Sequence, residues 1–219
     1  DGDGDLDAFV TNVSQPNRIW INNGLGSYSD SGQALGNSDS LDIALGDVDG
    51  DGDLDAWVAN ESNQPNILWL NDGLGNFTDS GQELGSSAST GVSLGDVDGD
   101  GDLDAWVANW TGQSHSVWKN DGLGNYTDTG QDLGNTPGSK VVLGDIDEDG
   151  DLDAFVLNYD YPNRIFFNDG QGNYEYEQAP GSNLGLNDST GASLGDLDGD
   201  GDLDALVANN NGQANVVWQ

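Results

Sequence analysis

Asp47-Val48-Asp49-Gly50-Asp51-Gly52-Asp53-Leu54-Asp55 puts a carboxylate at every odd position of nine residues, and complete copies begin at Asp96, Asp145 and Asp196. Alternate side chains on a tightly curved backbone can converge on one point, and Gly52 at position 6 permits the sharp turn. Calcium takes six to eight oxygens at about 2.3 to 2.6 Å, so such a loop suits it, and by analogy with known calcium loops Asp53 would offer its backbone carbonyl. That leaves Asp47, Asp49, Asp51 and Asp55 as carboxylate ligands. Magnesium demands a smaller octahedral shell, and zinc and copper would lack nitrogen and sulfur ligands. A solvated acidic turn needs only Asp and Gly as turn formers, but four complete copies with one internal spacing exceed what a turn requires.

The loop is not a helix–loop–helix calcium hand, because position 12 is Val58, Val107, Val156 or Val207 where that hand needs a bidentate Glu. Its flanks read as strands instead. Thr90 to Leu94 predicts a first strand, Leu103 to Asn109 a second, Ser116 to Asn120 a third, and a fourth starts at Tyr126 after the tight hairpin Asp121-Gly122-Leu123-Gly124. Successive loops start 49, 49 and 51 residues apart, so each period holds one four-stranded antiparallel unit. In the second strand Leu103, Ala105 and Val107 point one way and Trp106 and Ala108 the other, so both faces are apolar. A sheet covered on both sides by copies of itself is a propeller blade. The expected fold is therefore all-β, with blades of four antiparallel strands in about four and a half repeats of about 49 residues, part of a larger propeller. The repeats fall near residues 1–40, 41–89, 90–138, 139–189 and 190–219, the last incomplete.

Aromatic residues recur in register. Phe9, Trp57, Trp106 and Phe155 mark the second strand; Trp20, Trp69, Trp118, Phe166 and Trp218 mark the third. Tyr28, Phe77, Tyr126 and Tyr174 make a further series, and all three read as packing between blades rather than ligand platforms.

The motif Leu-Gly-Asp-Val-Asp-Gly-Asp-Gly-Asp-Leu-Asp at Leu45 to Asp55, with the hairpin Asn71-Asp72-Gly73-Leu74-Gly75-Asn76-Phe77, resembles the FG-GAP or VCBS-type repeats of integrin-like β-propellers. The resemblance covers essentially the whole chain. It implies that each loop joins the first two strands of a blade and carries calcium. The ligands so implied are Asp47, Asp49, Asp51, Asp53 and Asp55, then Asp96, Asp98, Asp100, Asp102 and Asp104. The third and fourth sets are Asp145, Asp147, Asp149, Asp151 and Asp153, and Asp196, Asp198, Asp200, Asp202 and Asp204. Glu148 replaces Gly at the non-ligand position 4 of the third set. A fifth, N-terminal set, Asp1, Asp3, Asp5 and Asp7, lacks the position 1 ligand and is incomplete.

Composition narrows the partners. Forty acidic residues against four basic ones, Arg18, Lys119, Lys140 and Arg164, give a formal net charge of −36. Such a chain repels itself without cations, and it has no basic footprint for nucleic acid or anionic membrane surfaces. Seven Trp, six Tyr and five Phe distinguish it from a disordered acidic tail. No apolar run approaches the roughly 18 residues of a membrane span, and there is no cysteine, hence neither disulfide nor thiolate metal site. His115, the single histidine, forms no identifiable nucleophile–base pair with a Ser in a repeated context and reads as a surface strand residue. Acids that recur in every unit argue against a unique catalytic pair, so no enzyme is expected. Asn12, Asn60, Asn76, Asn109, Asn125 and Asn187 begin sequons, as chance also produces in so Asn-, Ser- and Thr-rich a chain.

These observations support an extracellular, non-catalytic adhesion or recognition module, with glycan or extracellular protein as partner beside calcium. Extracellular modules are tuned to millimolar calcium. The variable segments Ser62 to Pro65, Gly112 to His115, Tyr159 to Tyr161, Asn210 to Gln213 and the insertion Glu175 to Asn187 would present the binding surface. Two alternatives are a structural subunit of an extracellular fibre or matrix, favoured by the near-identity of the units, and an accessory domain of a polysaccharide-processing enzyme. The chain enters and leaves mid-repeat and has no Met, so it reads as a segment of a longer parent; otherwise copies would self-assemble by supplying each other's missing strands.

Overall fold

The computed structural model describes residues 1–110, 112–176 and 188–219, and the insertion read at Glu175 to Asn187, with its sequon at Asn187, lies almost wholly outside them. Among the described residues there are eighteen strands in five antiparallel sheets and no helix, hence none long and apolar enough to cross a membrane. The first sheet runs β1 (Ala8–Val10), β2 (Arg18–Asn22), β3 (Tyr28–Asp30). The second is β4 (Ser40–Gly46), β5 (Asp55–Asn60), β6 (Ile67–Asn71), β7 (Phe77–Asp79), and the third is β8 (Ser89–Gly95), β9 (Asp104–Asn109), β10 (Ser116–Asn120), β11 (Tyr126–Asp128). The fourth is β12 (Gly138–Gly144), β13 (Asp153–Asn158), β14 (Arg164–Asn168), β15 (Tyr174–Tyr176), and the fifth β16 (Ser189–Gly195), β17 (Asp204–Asn209), β18 (Val216–Trp218).

Each sheet is a propeller-like blade, a meander in sequence order whose first strand packs beside the first strand of the next: β4 on β8, β8 on β12, β12 on β16. The two faces of each second strand serve different seams, as its alternation requires. In β9, Ala105 and Val107 join the core formed with Trp57, Ala59 and Leu68 of the second blade. Trp106 and Ala108 join the core formed with Ala154, Val156 and Phe166 of the fourth. Every residue of β9 is buried. The aromatic series interlock across the seams, edge to face: Phe9 on Phe77 at 5.4 Å, Trp57 on Tyr126 at 6.3 Å, Trp106 on Tyr174 at 6.1 Å. Such pairs contribute roughly 0.5–1.5 kcal/mol beyond their burial.

Side chains staple the seams as well. Gln82 Nε2 donates to Gly124 O at 2.7 Å while Tyr126 N donates to Gln82 Oε1 at 2.9 Å, so one amide closes a two-bond clamp on the next blade's hairpin. Gln33 clamps Gly75 and Phe77, and Gln131 clamps Gly172 and Tyr174, in the same way.

Two features break the repeat. Every first strand carries a bulge at one register, and the residue after it is Asp42, Gly91, Lys140 or Gly191. Gly91 has no room for a Cβ, which would lie 2.8 Å from Lys140 Cα. Lys140 Nζ passes over it to an ion pair with Asp42 of the second blade, whose other oxygen accepts from Val92 N at 3.0 Å.

The second is His115, which is not on the surface: it is 1% exposed and lies just before β10. Its Nδ1 accepts from Asn109 N at 3.1 Å, its ring packs 5.5 Å from Trp106 and 6.1 Å from Phe166, and its Nε2 is buried without a partner. The sequence reading placed it outside because an isolated histidine offers no periodic signal of its own. Two of the sequon asparagines, Asn60 and Asn109, are buried too, their side-chain amides donating to Pro65 O and Ser114 O, so neither can accept a glycan.

Candidate metal centre

The acidic loops connect first to second strands: β4 to β5, β8 to β9, β12 to β13 and β16 to β17. In each, positions 1, 3 and 9 come together. Asp47, Asp49 and Asp55 offer carboxylate oxygens all within 4.8 Å of one another, and so do Asp96, Asp98 and Asp104; Asp145, Asp147 and Asp153; and Asp196, Asp198 and Asp204. These four groups could each hold a metal ion. Among the described residues, Asp1, Asp3, Asp5 and Asp7 form no such group, and Asp7 instead accepts from Asn22 N and from the amino group of Asp1, each at 2.8 Å.

Position 9 anchors the loop to the blade. Asp55 is fully buried at the start of β5, and its two oxygens accept from Val48 N at 3.1 Å and Asn71 N at 2.8 Å, tying the loop's entrance to the end of the third strand. Asp104 repeats this with Val97 N and Asn120 N, and Asp153 with Ile146 N and Asn168 N. Position 1 folds the loop back on itself, Asp47 accepting from Gly50 N and Gly52 N, where glycines at φ +77° and +96° make the reversal that a Cβ would resist. Glu148 adopts φ +62° at the position where the other complete loops have glycine.

Positions 5 and 7 stand apart from the gathered oxygens. Asp51, Asp100, Asp149 and Asp200 each accept from the amide of the position 7 residue, at 3.0 to 3.1 Å. The carboxylates of Asp53, Asp102 and Asp151 lie against Gly73, Gly122 and Gly170 of their own blade's hairpin, where any Cβ would collide with them. Neighbouring blades grip the loop: Asn120 Nδ2 donates to Val48 O at 2.7 Å, and Asn168 Nδ2 to Val97 O at 2.8 Å. The Asn71, Asn120, Asn168 series recurs at near-constant spacing, the signal that could have found these ties.

Crowding of carboxylates at low solvation raises their proton affinity. Burial pushes Asp104 up to about 6 despite the amides of Asn120 and Val97, and it raises Asp55 and Asp153 as well. Asp49 is raised by burial and by the charge of Asp51. Asp98 Oδ1 and Asp145 Oδ1 are buried with no hydrogen-bond partner. A buried oxygen of an ionised group without a donor is costly, and a cation inside the triad would satisfy it. The donor set is oxygen only, which suits a hard divalent ion.

No curated protein matches the chain by sequence. Among solved structures, it is similar to a lectin of Agrocybe aegerita described for specific recognition of non-reducing terminal N-acetylglucosamine. That similarity has a TM-score of 0.57 at 18% identity, over 94% of this chain and 63% of the lectin. It is similar also to the V. cholerae biofilm matrix protein Bap1, with a TM-score of 0.55 at 20% identity over 94% of this chain and 33% of that one. At these identities the likeness is one of fold, and the chain spans less than two thirds of either protein. The model of the FG-GAP-like repeat family matches four times, over residues 1–58, 47–107, 96–156 and 145–207. With loop, hairpin and blade recurring in every match, the chain belongs to the FG-GAP-like repeat family.

Proposed function

We propose that this chain is a non-catalytic, calcium-bound propeller module that works outside the cell in adhesion or recognition. The observation that carries the reading is the fourfold carboxylate triad, two of whose members, Asp98 and Asp145, each hold a buried oxygen without a partner. Asp47, Asp49 and Asp55 and their counterparts would hold the ion, with Asp51 and the backbone of Asp53 as further oxygens within the same loop. Calcium bound there supplies the counter-charge that a chain of net charge −36 lacks, at the concentrations found outside cells. The protein's own part is positional: Asp55 pins the loop to β5 and β6, and Asn120 pins it to the next blade. Thermal unfolding with millimolar calcium and with chelator tests this. Calcium should raise the midpoint, magnesium should do so only in part, and an unchanged midpoint overturns the reading.

A glycan is the favoured partner. A cleft of about 370 Å³ opens between the second and third blades, lined by Asn66, Ser87, Gln113, Trp118, Asp128 and Gln131 among others. Amide, hydroxyl and carboxylate groups around an indole suit a polyhydroxylated ligand. The lectin of similar fold lends support. Screening against a glycan array in calcium tests it, and binding confined to proteins would favour the alternative of an extracellular protein partner. Likeness to a biofilm matrix protein supports a second reading, a structural unit of a matrix, for which imaging of assemblies is the measurement.

A further inference from the structure

The four acidic loops are near copies, but a single lysine makes one of them different. The residue after the third-strand aromatic is Ile21 in β2, Leu70 in β6, Lys119 in β10, Phe167 in β14 and Gln219 just after β18. In each of the first three, this side chain lies beside position 3 of its own blade's loop, over a hairpin glycine of the next blade. A Cβ on Gly124 would meet Asp49 and Leu70, and one on Gly172 would lie 2.9 Å from Lys119 Cε. Where Leu70 presents a methyl group, Lys119 presents an ammonium. Its Nζ lies 3.0 Å from Asp98 Oδ2 and donates to Gln171 O at 2.6 Å, bridging the third blade's loop to the fourth blade's hairpin.

We propose that Lys119 is a built-in counter-cation that makes the Asp96, Asp98 and Asp104 loop both the weakest divalent site and the loop least dependent on metal for its order. The inference rests on the calcium reading above. Asp98, a member of the gathered triad, divides its oxygens: Oδ2 meets the ammonium, while Oδ1 is buried without a partner. An ion there therefore shares a ligand with a fixed positive charge. Two like charges a few ångströms apart at the edge of a protein repel enough to weaken binding by roughly tenfold. Without the ion, the same ammonium relieves part of the carboxylate repulsion, which the other three loops must bear without a cation, Gln219 Nε2 giving Asp198 Oδ2 only a neutral donor at 3.0 Å.

The test follows calcium titration of the full chain by the backbone amide signals of the position 6 glycines, Gly52, Gly101, Gly150 and Gly201, one per loop. Gly101 is expected to respond last, at roughly tenfold higher calcium than the other three, and to keep the strongest amide protection in chelator. K119L, which installs the residue already present at Leu70 and so is compatible with the fold, should bring Gly101 into line with the others and lower its protection in chelator. K119R should leave it late. Four glycines responding together in the parent, or a Gly101 response that K119L does not move, overturns the role given to Lys119 while leaving calcium binding intact. Four glycines that do not respond at all overturn the calcium reading itself, and this inference with it.

Discussion

The imidazole of His115 occupies space that exists because residue 138 is glycine: a Cβ on Gly138 would lie 2.8 Å from His115 Cε1. At three other seams the same two positions hold a hydrogen-bonded pair, Asn17 to Ser40, Asn66 to Ser89 and Asn163 to Ser189, at 3.0 to 3.1 Å. In each case the first residue also accepts the strand-end amide, as His115 Nδ1 does from Asn109. The two substitutions are therefore one exchange, a polar bond given up for aromatic packing on Trp106 and Phe166. H115N alone should lose about 2 kcal/mol of packing, and G138S alone should lose about 1–3 kcal/mol to overpacking. The double variant should recover most of both, and a denaturation cycle that proves additive would refute the coupling.

Burial, aided by the charge of Arg164, lowers the pKa of His115 to about 4. The unfolded chain, near 6.5, binds the extra proton first, so stability is lost as pH falls from about 6.5 toward 4 and is flat above that window. The effect is on the order of 3 kcal/mol at its full extent. In calcium, H115N should show a shallower loss of midpoint over this range than the parent.

The acidic loops have the opposite sign. Asp104 is raised to about 6, and Asp55 and Asp153 are raised too, so without metal the native state binds more protons than the unfolded chain. Their contribution to stability is present at low pH and disappears as pH rises through the folded values. The gap between midpoints in calcium and in chelator should therefore be widest near neutrality and narrow below pH 6, as protons take the place of the ion. A gap independent of pH would contradict carboxylate ligation.

Substitution within one loop should act locally. D55N removes the carboxylate charge and one of the two oxygens that accept from Val48 N and Asn71 N, so calorimetric titration should lose one ion per chain, with a fall in stability of about 2–3 kcal/mol. D51A, whose carboxylate stands outside the triad, should lower affinity at the same loop with a smaller loss of stability. Loss of all ions in either variant would show that the sites are coupled rather than modular.

Gln82 offers a test of the seams. Q82A breaks two bonds to the third blade's hairpin and should cost about 1–3 kcal/mol. Hydrogen exchange should speed up at Tyr126 while Phe77 and Tyr174, clamped by Gln33 and Gln131, stay protected. Equal loss at all three would mean that the clamps act as one unit.

The blades were legible because their signals are strong and local: a nine-residue loop with fixed carboxylate spacing, two-sided apolar strands and an Asp-Gly hairpin. Thr90 to Leu94 was read within β8, and Ser116 to Asn120 coincides with β10. What eluded the sequence lies between blades. Gln33, Gln82 and Gln131 recur every 49 residues, yet within Ser-Gly-Gln or Thr-Gly-Gln each reads as ordinary turn chemistry until the hairpin 42 residues on is brought alongside. His115 was judged by residue type, although repeat alignment sets it beside Asn17, Asn66, Asn163 and Asn215, whose shared duty is to accept a strand-end amide. The division of each loop into gathered and outlying carboxylates follows from hydrogen bonds that spacing does not encode.

The reach of Lys140 over Gly91 to Asp42 bears on how a chain of near copies finds one arrangement. Such a chain can collapse with blades paired out of turn, since each apolar face fits several partners almost equally well, and these mispairings are kinetic traps. Lys140 distinguishes many of them, because in the ordered arrangement it spans the third blade to meet a carboxylate of the second. With the second blade displaced, Lys140 has only Gly91 and Gly191 at that register, and Asp42 keeps a largely buried charge with no cation beside it. The misordered state is thus raised in energy relative to the ordered one. Exchange of Lys140 and Asp42 for glycine should then show itself less in the native melting point than in a larger share of slowly refolding molecules.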